Sequence, residues 1–114
     1  MPNRSAVVLD DVFHALGDPT RRAVLARLAR GPATVSDLAA PFAMALPSFV
    51  QHLAVLEDSG LIASAKKGRV RTCHLKPARL AAAQTWLDQQ RVFWERRLDQ
   101  FDAYVKTLKP GEAP

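Results

Sequence analysis

The chain of 114 residues holds one cysteine, Cys73, so an internal disulfide is excluded and the thiol fits a reducing compartment. It has no apolar run near the roughly 18–20 residues that a membrane span needs, and no signal-peptide pattern at its start. A cytoplasmic protein with no membrane partner is expected. A Gly-rich phosphate loop is missing, and so is any Ser-His-Asp arrangement with supporting spacing. Cys73 and His74 make a poor dyad, because neighbouring strand residues point to opposite faces. No catalytic residue, and no enzyme, is expected. Histidine is scarce: apart from His52 there are only His14 and His74, which lie far apart and have no Cys or His partner at ligand spacing. Zinc and similar ions need such donors in sets of three or four, so neither a metal site nor a cofactor is expected. There is no internal repeat, low-complexity tract or sign of a second domain.

What the chain does have is positive charge, placed unevenly. Sixteen Lys and Arg against eleven Asp and Glu give a formal charge of +5, which favours a polyanionic partner. From 66 to 79 every charged residue is basic (Lys66, Lys67, Arg69, Arg71, Lys76, Arg79), whereas 88–102 mixes both signs.

Punctuation divides the chain into elements. Residues 1–9 look like a flexible arm, with Asp10 or Asp11 capping a first helix that carries Val12, Phe13 and Leu16. Asp18-Pro19 supplies an N-cap and a first helical residue for a second helix over 19–29, which buries Ala23, Val24, Leu25 and Leu28. Thr34 or Ser36 caps a short third helix that Pro41 closes. Pro47 opens a fourth, in which Phe49 or Val50, Leu53 and Leu56 recur at three- and four-residue spacing. Gly60 stops it. Strands over 61–65 and 70–75 then fold around the turn Lys66-Lys67-Gly68-Arg69. A last helix over 77–109 carries an apolar seam of Leu87, Trp94, Leu98, Phe101, Val105 and Leu108, interrupted at Arg91, and 110–114 is a tail.

This is a mainly α fold with a small β-hairpin (α+β), in the order α-α-α-α-β-β-α. It forms a single domain over 10–109, with a helix-turn-helix at 33–59, a wing at 61–75 and a C-terminal helix at 77–109. In such a fold the second helix of the motif enters the major groove from the face turned away from its own core. Ser48, Gln51 and His52 occupy that face. Gln suits adenine, Ser a base or a phosphate, and His a phosphate or a guanine acceptor. Lys66, Lys67, Arg69 and Arg71 on the wing supply salt-dependent grip on the backbone. The alternative for His52 is a ring tucked against the core. The alternative for the whole motif is a winged helix that docks on another protein, which would need no run of exposed cations. Cys73 reads as a small buried apolar group. The C-terminal seam reads as packing between subunits, with an apolar ligand pocket among Trp86, Phe93, Trp94, Phe101 and Tyr104 as the alternative.

Three segments, FHALGDPTRRAVLARLARGPATVSDLA, LPSFVQHLAVLEDSGLI and KKGRVRTCHL, follow in order over about residues 10–76. Together they resemble the ArsR (arsenic-repressor) family of bacterial winged helix-turn-helix regulators, and WLDQQRVFWERRLDQFDAYV resembles a sub-group with a Trp-rich last helix. The resemblance implies a homodimer packed through its first and last helices. Val12, Phe13, Leu16, Leu87, Trp94, Leu98, Phe101 and Val105 would then form the interface. It also implies (auto)repression from a palindromic operator in double-stranded DNA, in the bacterial cytosol or nucleoid. The recognition positions map onto Pro47, Ser48, Val50, Gln51 and His52, and Thr34 and Ser36 join the DNA contacts. Relatives carry Ser and then Lys or Arg before the His-Leu pair. Here Val50-Gln51 replaces them, which implies a different operator. The metal-binding Cys-x-Cys box of many relatives is replaced by VSDLAA, and the last helix has Asp88, Glu95, Asp99 and Asp102 but no His. A small-molecule inducer of a ligand-responsive repressor is left open.

Overall fold

The computed structural model describes residues 4–108, which divide between Ala83 and Gln84 into two compact units. The first contains α1 (Arg4–Leu16), α2 (Pro19–Leu28), β1 (Ala33–Thr34), α3 (Val35–Ala39), α4 (Leu46–Asp58), β2 (Ile62–Lys67) and β3 (Val70–Leu75). It also takes the first turns of α5 (Pro77–Thr107), whose remainder makes up the second unit. None of the described residues from 84 onward is buried, so that part of α5 has no core of its own.

Local chemistry accounts for most element boundaries. Asp18 adopts an extended backbone and its Oδ2 accepts from the Arg21 amide at 3.0 Å, with Pro19 behind it, which starts α2. Thr34 caps α3 in the same way, its Oγ1 accepting from Asp37 N at 3.1 Å, so of the two candidates Thr34 is the cap. The carbonyls left open at the end of α1 are filled by arginines: Arg21 Nε donates to Ala15 and Arg22 Nη1 to Leu16. Arg79 Nη1 donates likewise to the Ser59 carbonyl at the end of α4. Gly60 is needed there for its backbone. Its φ is +78°, and a Cβ would fall 2.6 Å from the Arg79 guanidinium.

Three expectations are corrected. The first helix starts at Arg4 rather than after a flexible arm of 1–9, and Asp10 and Asp11 sit inside it, not at its cap. Half-buried Val8 and Leu9 pack on the core, so tertiary contact extends the helix beyond its expected start. Residues 1–3 of that arm and the 110–114 tail lie outside the described residues. Ala23, expected inside, is exposed on α2. A third strand also exists. β1 pairs antiparallel with β3 (Ala33↔Cys73, Thr34↔Thr72), giving the sheet order β1-β3-β2.

The core of the first unit gathers Val12 and Ala15 of α1, Val24 and Leu28 of α2, Leu38 of α3, and Phe49, Leu53 and Leu56 of α4. Leu61, Ile62 and Cys73 close it from the hairpin side. Phe49 is buried and Val50 is not, which settles the register of α4. Phe49 stacks on Phe42 of the preceding turn at a ring separation of 5.5 Å, fixing the angle at which α4 begins.

Candidate nucleic-acid interface

With Phe49, Leu53 and Leu56 turned inward, the opposite face of α4 is left open to solvent. Pro47, Ser48, Val50 and Gln51 are all exposed there, on the first two turns of the helix. Ala45, at the N-cap, offers no side-chain acceptor. The first amides of α4 therefore remain available to an anion.

The hairpin stands beside this face. Its two-residue turn has Gly68 at φ +64° and Arg69 at negative φ, the sign pattern of a type II′ turn, which suits the twist of paired strands. The register sets Lys66 directly opposite Arg71 on the two strands. Two cations facing each other destabilise a hairpin unless an anion relieves them. Among the described residues Lys66, Lys67 and Arg69 make no ion pair, and all three are exposed. Arg71 is partly engaged. Its Nη1 donates to Ser64 Oγ at 2.8 Å, and that hydroxyl donates to Glu57 Oε1 at 3.0 Å. This chain ties the middle of the wing to the far end of α4.

Between α3, α4 and the wing runs a cleft of about 560 Å³, lined by Thr34, Ser36, Val50, Glu57, Lys66, Arg69 and Arg71 with Cys73 beneath them. Of the residues expected to contact DNA, the cleft brings together Thr34, Ser36, Val50, Lys66, Arg69 and Arg71. Pro47, Ser48 and Gln51 lie outside it on the exposed face of α4, and Lys67 lies outside it on β2. Thr34 is occupied as a cap.

His52 is held differently from its neighbours. Its ring is half-buried, and Nδ1 lies 3.1 Å from Arg21 Nη1 and 3.7 Å from Asp18 Oδ2, both on or beside α2. The Arg21 amide bond, with help from His52 and the Arg21 charge, holds the Asp18 carboxyl below the usual carboxylate range. Reading the sequence missed Asp18, Arg21, Glu57 and Ser64 as parts of the site. Arg21 and His52 are 31 positions apart, and no local pattern joins them.

Cys73 is buried at the centre of the sheet, facing Ala33 on one side and Ser64 on the other. Burial pushes its thiol up, with the Glu57 carboxylate adding to the effect, so the protonated form dominates. Among the described residues no three His, Cys, Asp or Glu side chains gather as a metal site would require.

Of the residues expected at a subunit interface, Val12 is fully buried in the core of its own unit and is not available to a partner. Phe13 is exposed and Leu16 half-buried. On α5, Leu87, Trp94, Leu98, Phe101 and Val105 are all exposed. Arg91, which breaks their spacing, is ion-paired with Asp88 at 3.4 Å and Glu95 at 3.9 Å. No described helix is long and apolar enough to cross a membrane.

Comparison with known proteins agrees with this geometry. Residues 16–65 match the family model described as a helix-turn-helix domain. The HTH-type transcriptional regulator Rv2034 of Mycobacterium tuberculosis is 42% identical over 89 residues, 78% of this chain and 80% of that protein. The transcriptional repressor SdpR of Bacillus subtilis is 33% identical over 69% of this chain and 88% of its own. Among solved structures, the ArsR family transcriptional regulator RHA00566 is 55% identical with a TM-score of 0.77, over 83% of this chain and 97% of that one. A homodimeric winged helix-turn-helix DNA-binding domain from Mycobacterium bovis, Mb0332, is 26% identical with a TM-score of 0.57, over 84% and 90%.

Proposed function

The chain belongs to the ArsR family of winged helix-turn-helix transcriptional regulators, and from that premise we propose that it is a homodimeric repressor of a palindromic operator. The observation that carries DNA binding is the pairing of an exposed polar N-terminal face on α4 with unpaired cations on the adjoining wing. Ser48 and Gln51 read base edges in the major groove, with Val50 beside them as an apolar surface for a thymine methyl. Lys66, Lys67, Arg69 and Arg71 grip the backbone, and the cleft between α4 and the wing takes a phosphate strand. Ser36, exposed at the start of α3, adds a hydroxyl on the other side of that strand.

Dimerisation follows from the second unit. Trp94, Leu98 and Phe101 each leave about three-fifths of their surface in water, on one stripe of a helix with no core of its own. A second copy removes that surface, with exposed Phe13 as a further contact to the partner. Mb0332 is itself homodimeric, which supports the reading. A two-fold dimer sets two recognition helices against two half-sites, hence a palindrome. Winged helices that only bind proteins need no exposed basic run, which sets that reading aside.

The test is fluorescence anisotropy with a duplex from the protein's own upstream region and a scrambled duplex of equal length, across a salt series. Tight, salt-sensitive binding that prefers the upstream duplex is expected. Weak and equal binding to both would overturn the assignment.

A further inference from the structure

Arg21 lies on α2, outside the helix-turn-helix, yet its guanidinium reaches the recognition helix, with Nη1 3.1 Å from His52 Nδ1. A guanidinium has donors and no acceptor, so the bond has one direction: Arg21 donates and Nδ1 accepts. Nδ1 then carries no proton, and the neutral ring must carry its single proton on Nε2. The guanidinium is not free to turn away. Its Nε donates to the Ala15 carbonyl at 2.8 Å and its Nη2 to the His14 carbonyl at 3.0 Å, so two of its nitrogens are held at the end of α1 while the third reaches His52. Asp18 Oδ2, the other group near Nδ1, is at 3.7 Å and already accepts from the Arg21 amide. His52 Nε2 has no partner among the described residues, yet it is not one of the buried unsatisfied atoms, so it opens to solvent.

Resting on the DNA-binding reading, we propose that Arg21 is a positioning residue for DNA recognition. It locks His52 as the Nε2–H tautomer and makes the ring a fixed donor to a DNA phosphate. The tautomer decides the sign of the contact. An Nε2–H attracts a phosphate oxygen, whereas the other tautomer would aim a lone pair at it. A phosphate is the acceptor, not a base edge, because the ring is drawn back against α2 while Ser48 and Gln51 stand free on the exposed face. The contact therefore adds affinity without sequence choice. Lysine at position 21 would keep the charge but could not serve the Ala15 and His14 carbonyls and the imidazole together.

Two measurements on the full chain test this. The first is long-range proton–nitrogen NMR of the three 15N-labelled histidines at pH 8, where an ordinary imidazole is neutral, with His52 assigned from the His52→Gln spectrum. The wild type should show Nδ1 unprotonated and Nε2 protonated, and Arg21→Lys should give a mixture of tautomers. A proton on Nδ1 in the wild type, or no change in Arg21→Lys, overturns the lock. The second is anisotropy with the upstream and scrambled duplexes for His52→Gln and His52→Asn, which leave the Arg21 bonds to α1 untouched. The glutamine amide falls near Nε2 and should keep most of the affinity, while asparagine, whose amide falls near Nδ1, should lose about tenfold on both duplexes alike. Equal affinities for the two variants overturn the phosphate contact. A wild type with the Nε2–H tautomer that binds neither duplex would instead sink the DNA-binding reading itself, and the contact with it.

Discussion

Replacing Leu98 by aspartate should abolish the proposed dimer, and its structure fixes the scale. Leu98 keeps 63% of its surface exposed. Full burial of a leucine is worth about 1.5–3 kcal/mol, so the part still in water offers about 1–2 kcal/mol when a partner covers it. A two-fold interface uses the residue twice, so both copies together contribute about 2–4 kcal/mol. Leu98→Ala should therefore weaken dimerisation by about 30- to 900-fold. Leu98→Asp goes further, because each copy would carry a carboxylate into a closing apolar seam at a cost of several kcal/mol per ion. Sedimentation equilibrium over a concentration series reads the outcome, with circular dichroism confirming that α5 stays helical. Asp99→Ala, at an exposed acidic position of the same helix, is the control and should leave the association unchanged. A Leu98→Asp protein that sediments at the wild-type mass would refute the seam.

Arg69→Ala should lower affinity for cognate and scrambled duplexes by the same factor and reduce the slope of log K against log salt by about 0.9, one phosphate contact's worth; a loss confined to the cognate duplex would contradict a backbone role. Asp18 has a depressed carboxyl, so its stabilising effect is full above the ordinary value of 3.8 and is lost as pH falls through the lower folded value. Asparagine caps a helix as well and does not titrate. The Tm of wild type minus that of Asp18→Asn should accordingly fall on acidification below about pH 4, and a difference independent of pH would rule out the titrating cap. Cys73, buried with its thiol pushed up, should resist iodoacetamide at pH 8 in the native protein and react promptly once unfolded; rapid native alkylation, read by mass spectrometry, would show an accessible thiolate.

Much of the first unit was legible because local chemistry fixes it. Asp18-Pro19 starts a helix wherever it lies, Gly60 must end one, and Gly68 must turn a hairpin. The apolar stripe of α4 set which face is open, although spacing alone could not choose between Phe49 and Val50, of which the folded core buries only Phe49. What could not be read depends on distant partners. Ala33–Thr34 is a strand only because β3 lies beside it. The start of α1 is set by Val8 and Leu9 meeting the core, and Val12, apolar and near Phe13, gives no local sign that it points into its own unit. The restraint on His52 arises from a side chain on another helix. The interruption of the α5 seam at Arg91, by contrast, was visible in the spacing, and its ion pairs with Asp88 and Glu95 give it a physical cause.

The most direct measurement is the affinity of wild type and Gln51→Ala for the upstream duplex and its scrambled counterpart, by anisotropy at one fixed salt concentration. Gln51 is exposed on the open face of α4, and a good base contact is worth about 1–3 kcal/mol of discrimination. The substitution should therefore cost about 5- to 150-fold on the upstream duplex and little on the scrambled one. An equal loss on both duplexes would mean that α4 does not read sequence through Gln51.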